Sequence, residues 1–143
     1  MDEAGVLTRV GTFKHKVSST LNKSAEFASK HMFDGSPESC WNSDQGSPQY
    51  VTFDFLRNVQ VTSIRVQFQG GFVGQEGCME VGDTMAELRK VSDLDCIQDC
   101  NETQEFPLQA EGRFMRICFN ASTDFYGRVT VYQLAVLGGS IEA

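Results

Sequence analysis

The stretch YVTFDFLRNVQVTSIRVQF, residues 50–68, decides the fold, because here the apolar period of the chain becomes two. Val51, Phe53 and Phe55 alternate with Thr52 and Asp54; after a break at Leu56, Arg57 and Asn58, the residues Ile64, Val66 and Phe68 alternate with Arg65 and Gln67. Successive side chains of a strand point to opposite faces, so the pattern predicts two strands, each with one buried face. Gly70 and Gly71 end the second, and Phe72-Val73-Gly74 continues as a loop whose glycines allow close backbone approach. Further strands are predicted over 78–81 and 88–94, joined by a Gly82-Asp83 turn, and over 114–119 and 129–137. The last is nearly continuous in apolar residues, which predicts a central position. Phe106-Pro107-Leu108 reads as a short edge segment, since proline breaks a central ladder. Residues 92–103 form an acidic, exposed loop, and residues 120–128, NASTDFYGR, a second polar loop carrying Phe125 and Tyr126.

Working back from residue 50, the segment HMFDGSPESCWNSDQGSPQ, residues 31–49, holds the only Trp of the chain. Asp34-Gly35 and Ser36-Pro37 are turn dipeptides, which makes the segment a loop. An indole in such a loop is worth burying, and Trp41 is expected to pin the loop to the body of the domain as a structural anchor. Ser36, Ser39, Asn42, Ser43, Asp44 and Gln45 then bond either their own turn or a ligand. Ser24 caps a predicted short helix through Glu26, Phe27, Ala28 and Lys30, with Phe27 inward. Residues 1–13 read as a tail or extra strand, 14–138 as the domain, and 139–143 as a C-terminal tail.

A chain of 143 residues is one domain of common size. A formal charge of −7, with basic residues scattered, argues against direct nucleic-acid binding, which draws on Lys and Arg. No apolar run is long enough for a signal segment or a bilayer span, so no membrane role and residence inside the cell are expected. Five cysteines, Cys40, Cys78, Cys96, Cys100 and Cys118, are an odd number that suits reduced thiols. Cys96 and Cys100 have no second pair or nearby His to complete a zinc set. Asn22, Asn101 and Asn120 open glycosylation sequons, relevant only to a secreted chain.

Neither His15 nor His31 sits in a nucleophile motif, and no nucleophile elbow, phosphate loop or H-E-x-x-H is present. The expectation is a binding module and not an enzyme. Many short strands with regular turns point to an all-β antiparallel sandwich or jelly roll of about eight strands with one short helix.

FDGSPESCWNSDQ in the first loop, residues 61–72, and the closing strand to Val136-Leu137-Gly138 resemble the discoidin or coagulation-factor C-type domain, a galactose-binding-like jelly roll. CWNSDQG, FQGGF followed by Gly77-Cys78, TDFYGRV and the final LAVLG are more specifically similar to the small, single-domain nuclear receptor-associated proteins. That resemblance covers residues 17–138. It implies a non-enzymatic protein-interaction module that binds an orphan nuclear receptor of the testicular type and represses receptor-driven transcription, in nucleus and cytoplasm. Asn42, Asp44, Gln45, Gln69, Phe72, Asp124, Phe125, Tyr126 and Arg128 are the expected partner-binding loop residues, with Arg128 pairing Asp124 or Asp44. A glycan-binding, lectin-like module using the same loops is the alternative. The superfamily often holds structural calcium, which the resemblance places on Asp34, Ser36 and Ser39. Gln133 stands where a Glu usually helps, so that site is a degenerate one.

Overall fold

A computed structural model describes residues 5–141 of the chain. Its strands are β1 (Lys14–Val17), β2 (Trp41–Asn42), β3 (Gln49–Phe68), β4 (Gly74–Gly82), β5 (Arg89–Leu94), β6 (Thr103–Ser122) and β7 (Thr130–Ser140), all paired antiparallel. The two long strands β3 and β6 make the sandwich. The first half of β3 lies between β1 and the second half of β6, and β4 and then β5 extend that layer. The second half of β3 lies between β7 and the first half of β6, and β7 carries β2 on its far side. The result is an antiparallel jelly-roll sandwich, as the period-two pattern predicts.

The apparent break at residues 56–58 is a bulge inside one strand. The β3–β6 register shifts between Asp54 and Val59, Leu56 adopts a positive φ of 64°, and its N–H donates to Asp54 Oδ1 at 2.8 Å. The extra residues bend β3 from one layer into the other. Alternation then fills the space between layers: Phe53 and Phe55 stack at 5.3 Å, and Phe68 of one layer meets Phe119 of the other edge-on at 5.4 Å. All four rings are buried.

Several expectations are corrected by this arrangement. The short helix after Ser24 is instead a pair of 3-10 turns, Ala25–Phe27 and Ser29–Met32. Ser24 does cap the first, accepting from the Glu26 N–H at 3.2 Å, but Ala28 takes extended φ/ψ and ends the run before an α-turn is complete. Phe106, Pro107 and Leu108 belong to the 20-residue β6. The segment is longer than expected but does lie at an edge, because among the described strands that half of β6 pairs with β3 alone, and Pro107 is tolerated there beside a register shift between Val61 and Ser63. Residues 92–94 close β5, so the acidic loop shortens to 95–102. At the C-terminus, Gly139 and Ser140 pair with Gln60 and Val59, which carries the last strand past residue 138. Near the N-terminus, by contrast, the contacts agree with an extra strand: Val6 bridges Leu137 and the Leu7 N–H donates to the Val136 carbonyl at 2.8 Å. Residues 1–4, 142 and 143 lie outside the described residues.

Candidate functional site

Three loops meet at one end of the sandwich: residues 43–48, 69–73 and 123–129. Their backbones are tied to one another. The Ser43 N–H donates to the Val129 carbonyl at 2.9 Å, Val129 N–H returns to Ser43 Oγ at 2.8 Å, and Thr123 N–H donates to the Val73 carbonyl at 2.9 Å. Gly46 N–H reaches the Tyr126 carbonyl at 2.7 Å. Gly127 sits at this crossing with φ 84°, where a Cβ would lie 2.7 Å from the Gly46 carbonyl oxygen. Only glycine fits both demands.

The third loop is organised by one carboxylate. Asp124 accepts from Arg128 Nε at 2.8 Å, Arg128 Nη2 at 3.0 Å, and the backbone N–H groups of Arg128 and Tyr126 at 3.1 and 3.2 Å. The Arg128 side-chain bond, against a smaller opposing effect of burial, holds the Asp124 carboxyl below its usual range. The guanidinium so fixed lies over the rings of Phe72 and Tyr126, with centroid distances of 5.2 and 5.4 Å. Phe72 is therefore half covered. Phe125 is 92% exposed and stands edge-on to the exposed Tyr126 at 5.1 Å. A loop tip seldom leaves a whole phenyl ring in water, and this one is held outward by the turn beneath it.

Asn42, Gln69, Phe72, Arg128, Ser43, Thr130 and Leu21 line a shallow cleft of about 190 Å³ beside that tip. Asn42 Oδ1 accepts from Thr130 Oγ1. Of the expected loop residues, Asn42, Gln69, Phe72, Asp124, Phe125, Tyr126 and Arg128 come together here. Asp44 faces elsewhere: its N–H bonds Ser19 Oγ at 3.0 Å, its Oδ1 takes the Gln45 N–H at 3.1 Å, and it lines a separate cleft with Ser19 and Lys23, while Gln45 is exposed and lines neither cleft. Between the two carboxylates open to it in sequence, Arg128 takes Asp124.

Sequence reading misses Asp99 and Asn101. Their side-chain oxygens accept from the Gly71 and Gly70 N–H groups at 2.8 and 2.7 Å, so the acidic loop clamps the 69–72 turn. No local pattern signals this, because the partners are 28 and 31 residues apart.

Trp41 is wholly buried in β2, opposite Val131, and its indole N–H donates to the Ser19 carbonyl at 2.9 Å. The expected calcium donors are engaged otherwise. Asp34 Oδ1 accepts from the Ser36 N–H at 2.9 Å, and Oδ2 from Ser39 Oγ at 2.9 Å with His31 Nδ1 at 3.1 Å. Burial opposes ionisation there, but the Ser36, His31 and Ser39 bonds prevail and hold Asp34 low. Gln133 Nε2 donates to the Ser36 carbonyl at 2.8 Å. An amide N–H occupies the oxygen that a hard cation would need, and one carboxylate with this donor set does not fit calcium. Among the described residues no cluster of three His, Cys, Asp or Glu is placed for a metal.

No family model matches the chain. Curated relatives do: "Nuclear receptor 2C2-associated protein" of Homo sapiens is 42% identical over 128 residues, covering 88% of this chain and 91% of the relative. That of Xenopus laevis is 46% identical over 129 residues, covering 86% and 91%. The chain belongs to the nuclear receptor 2C2-associated protein family. Solved structures similar to this family member are far in sequence and near in fold. The family 32 carbohydrate-binding module of Clostridium perfringens NanJ, in complex with galactose, superposes with a TM-score of 0.76 at 10% identity, covering 92% of this chain and 97% of the module. A chitosan-binding module from a chitosanase/glucanase of Paenibacillus sp. IK-5 does so at 0.75 and 17%, covering 93% and 98%. These likenesses establish a galactose-binding-type jelly roll.

Proposed function

We propose that this chain is a non-enzymatic protein-interaction module that binds an orphan nuclear receptor through its loop end and represses receptor-driven transcription, working in nucleus and cytoplasm. The name of the curated relatives supports the partner class. The observation that carries the surface is the exposed Phe125–Tyr126 pair, held upright by the Asp124–Arg128 brace. Aromatic anchors on a pre-ordered loop offer contact area with little ordering cost on binding. The test is a titration against a purified orphan receptor ligand-binding domain. The chain is expected to bind, and Phe125→Ala/Tyr126→Ala to bind at least about tenfold more weakly, on the order of 1.4 kcal/mol. Equal affinity of the two would remove the loop end from the interface, and a receptor-driven reporter unmoved by the chain would remove repression.

A second reading rests on the cleft. Asn42, Gln69 and Arg128 place polar groups beside the Phe72 ring, an arrangement suited to a sugar, and the neighbouring folds include galactose-bound modules. A glycan array separates the readings: binding to galactose-terminated glycans that Asn42→Ala abolishes would favour the lectin.

A further inference from the structure

The outer face of the five-stranded layer carries an unusual rung. Alternation along β4 sends Met79 and Val81 into the core and turns Cys78 and Glu80 outward; along β6 it buries Ile117 and Phe119 and turns Arg116 and Cys118 outward. The register then sets Cys78 directly opposite Cys118, with Glu80 opposite Arg116 on the next outward rung. Facing residues of an antiparallel pair have Cα atoms about 4.5–5.5 Å apart, inside the roughly 4.4–6.8 Å span of disulfides. The Cys118 Sγ donates to Asn120 Oδ1 at 3.5 Å. Both cysteines lie outside the packed core cluster, yet each is nearly sealed at the surface, with 7% and 8% exposure. Cys78 opens on a cleft of about 370 Å³ that Lys90, Asp93 and Asn120 also line.

We propose that Cys78 and Cys118 form a redox-active dithiol that a hydroperoxide converts to an intramolecular cross-strand disulfide. Cys78, at the cleft, attacks the terminal peroxide oxygen as thiolate; the O–O bond breaks, a sulfenic acid forms, and the other oxygen leaves as water or alcohol. The Cys118 sulfur then attacks the sulfenic sulfur, forming the S–S bond and expelling water. The thiols lose two electrons and two protons, the peroxide gains both, and no further reactant is needed. Burial pushes the Cys118 thiol up to about 11 and raises Cys78 too, so both rest protonated and inert in a reducing compartment. The reaction is accordingly slow at neutral pH and faster as pH rises toward the thiol range.

The bond would fasten the two strands that carry two of the three loops at that end. β4 begins just after Phe72, and β6 ends just before Asp124. The inference stands independently of which partner those loops bind.

The test treats the folded, reduced, full-length chain with limiting hydrogen peroxide, alkylates remaining thiols, and maps peptides without reduction. The expected result is a linked Cys78–Cys118 peptide, with two of the five thiols protected and all five restored by dithiothreitol. Cys78→Ser and Cys118→Ser should each abolish the link. A Cys40→Ser/Cys96→Ser/Cys100→Ser variant should still form it, which covers the case where a rung variant fails to fold. Linkage through Cys40, Cys96 or Cys100, sulfinic acid without a link, or five alkylated thiols after treatment would overturn the proposal.

Discussion

The loop over residues 33–45 and the loop over 123–128 look alike in sequence: each is polar, each is built on an Asp turn, and each carries a large aromatic residue. The fold treats them in opposite ways. Trp41 is wholly buried, and Phe125 is 92% exposed. Hydrophobicity does not separate them. Backbone context does: Trp41 lies in a strand paired with β7, where alternation turns it to the core and the Ser19 carbonyl satisfies its N–H. Phe125 lies at the apex of a turn whose backbone N–H groups are gathered by Asp124, which leaves its side chain no inward direction. An aromatic residue in a loop becomes core or contact surface according to where its neighbours' hydrogen bonds go.

The largest expected effect breaks the buried side of that contrast. Trp41→Ala should cost about 3–5 kcal/mol, the range for emptying a buried aromatic site, read as a shift in the urea midpoint at constant slope. A loss under ~1 kcal/mol would show the first loop to be as loosely held as an ordinary surface loop.

Next is the bond that closes the same loop. Gln133→Glu sets a carboxylate against the Ser36 carbonyl and should cost about 1–3 kcal/mol without metal, with millimolar calcium returning part of it. Wild-type melting should be indifferent to a chelator. A wild-type melting temperature that falls in EDTA would mean a cation holds this loop in solution.

On the exposed side, Asp124→Ala removes the acceptor that serves Arg128 and two backbone N–H groups, at an expected cost of about 1–2 kcal/mol. The effect has a pH signature. Asp124 has a folded pKa below its unfolded value near 3.9, so its contribution is complete above that value and is lost as pH falls through the folded one. The gap between wild type and variant in urea melts should therefore be constant from pH 5 to 7 and narrow on acidification below about pH 4. A gap that widens in acid would contradict the assignment.

The smallest stability effect belongs to the apex itself. Phe125→Ala should stay within about 0.5 kcal/mol in stability while weakening receptor binding by at least ~1 kcal/mol.

How much of this was legible in the chain follows from range. The alternation in residues 50–55 and 64–68 reports on each side chain's own face, so the strands and the sandwich were readable. Leu56–Asn58 looked like an end because a bulge interrupts the same period without ending the strand. The Ser24 cap was readable as a local i-to-i+2 contact, but the missing α-helix depended on Ala28 turning extended. The Asp124–Arg128 pair is four residues apart, and sequence narrowed Arg128's partner to two acids. Asp99, Asn101 and the Gln133–Ser36 bond act across 28, 31 and 97 residues, where no spacing rule operates. The partial cover of Phe72 is not readable for a related reason: Arg128, which lies over its ring, comes from a different loop.

The sharing of β3 and β6 between both layers also bears on how quickly the chain reaches this structure. Their ladder begins where Gln67 meets Thr103 and ends where Gln49 meets Phe119, so each successive rung joins residues farther apart along the chain. Closing the near end first is entropically cheapest, and the far rungs then zip up through the Leu56 bulge. Refolding should run on the millisecond-to-second scale of non-local β topologies, and lengthening the 95–102 loop should slow it by moving the first rung's partners apart.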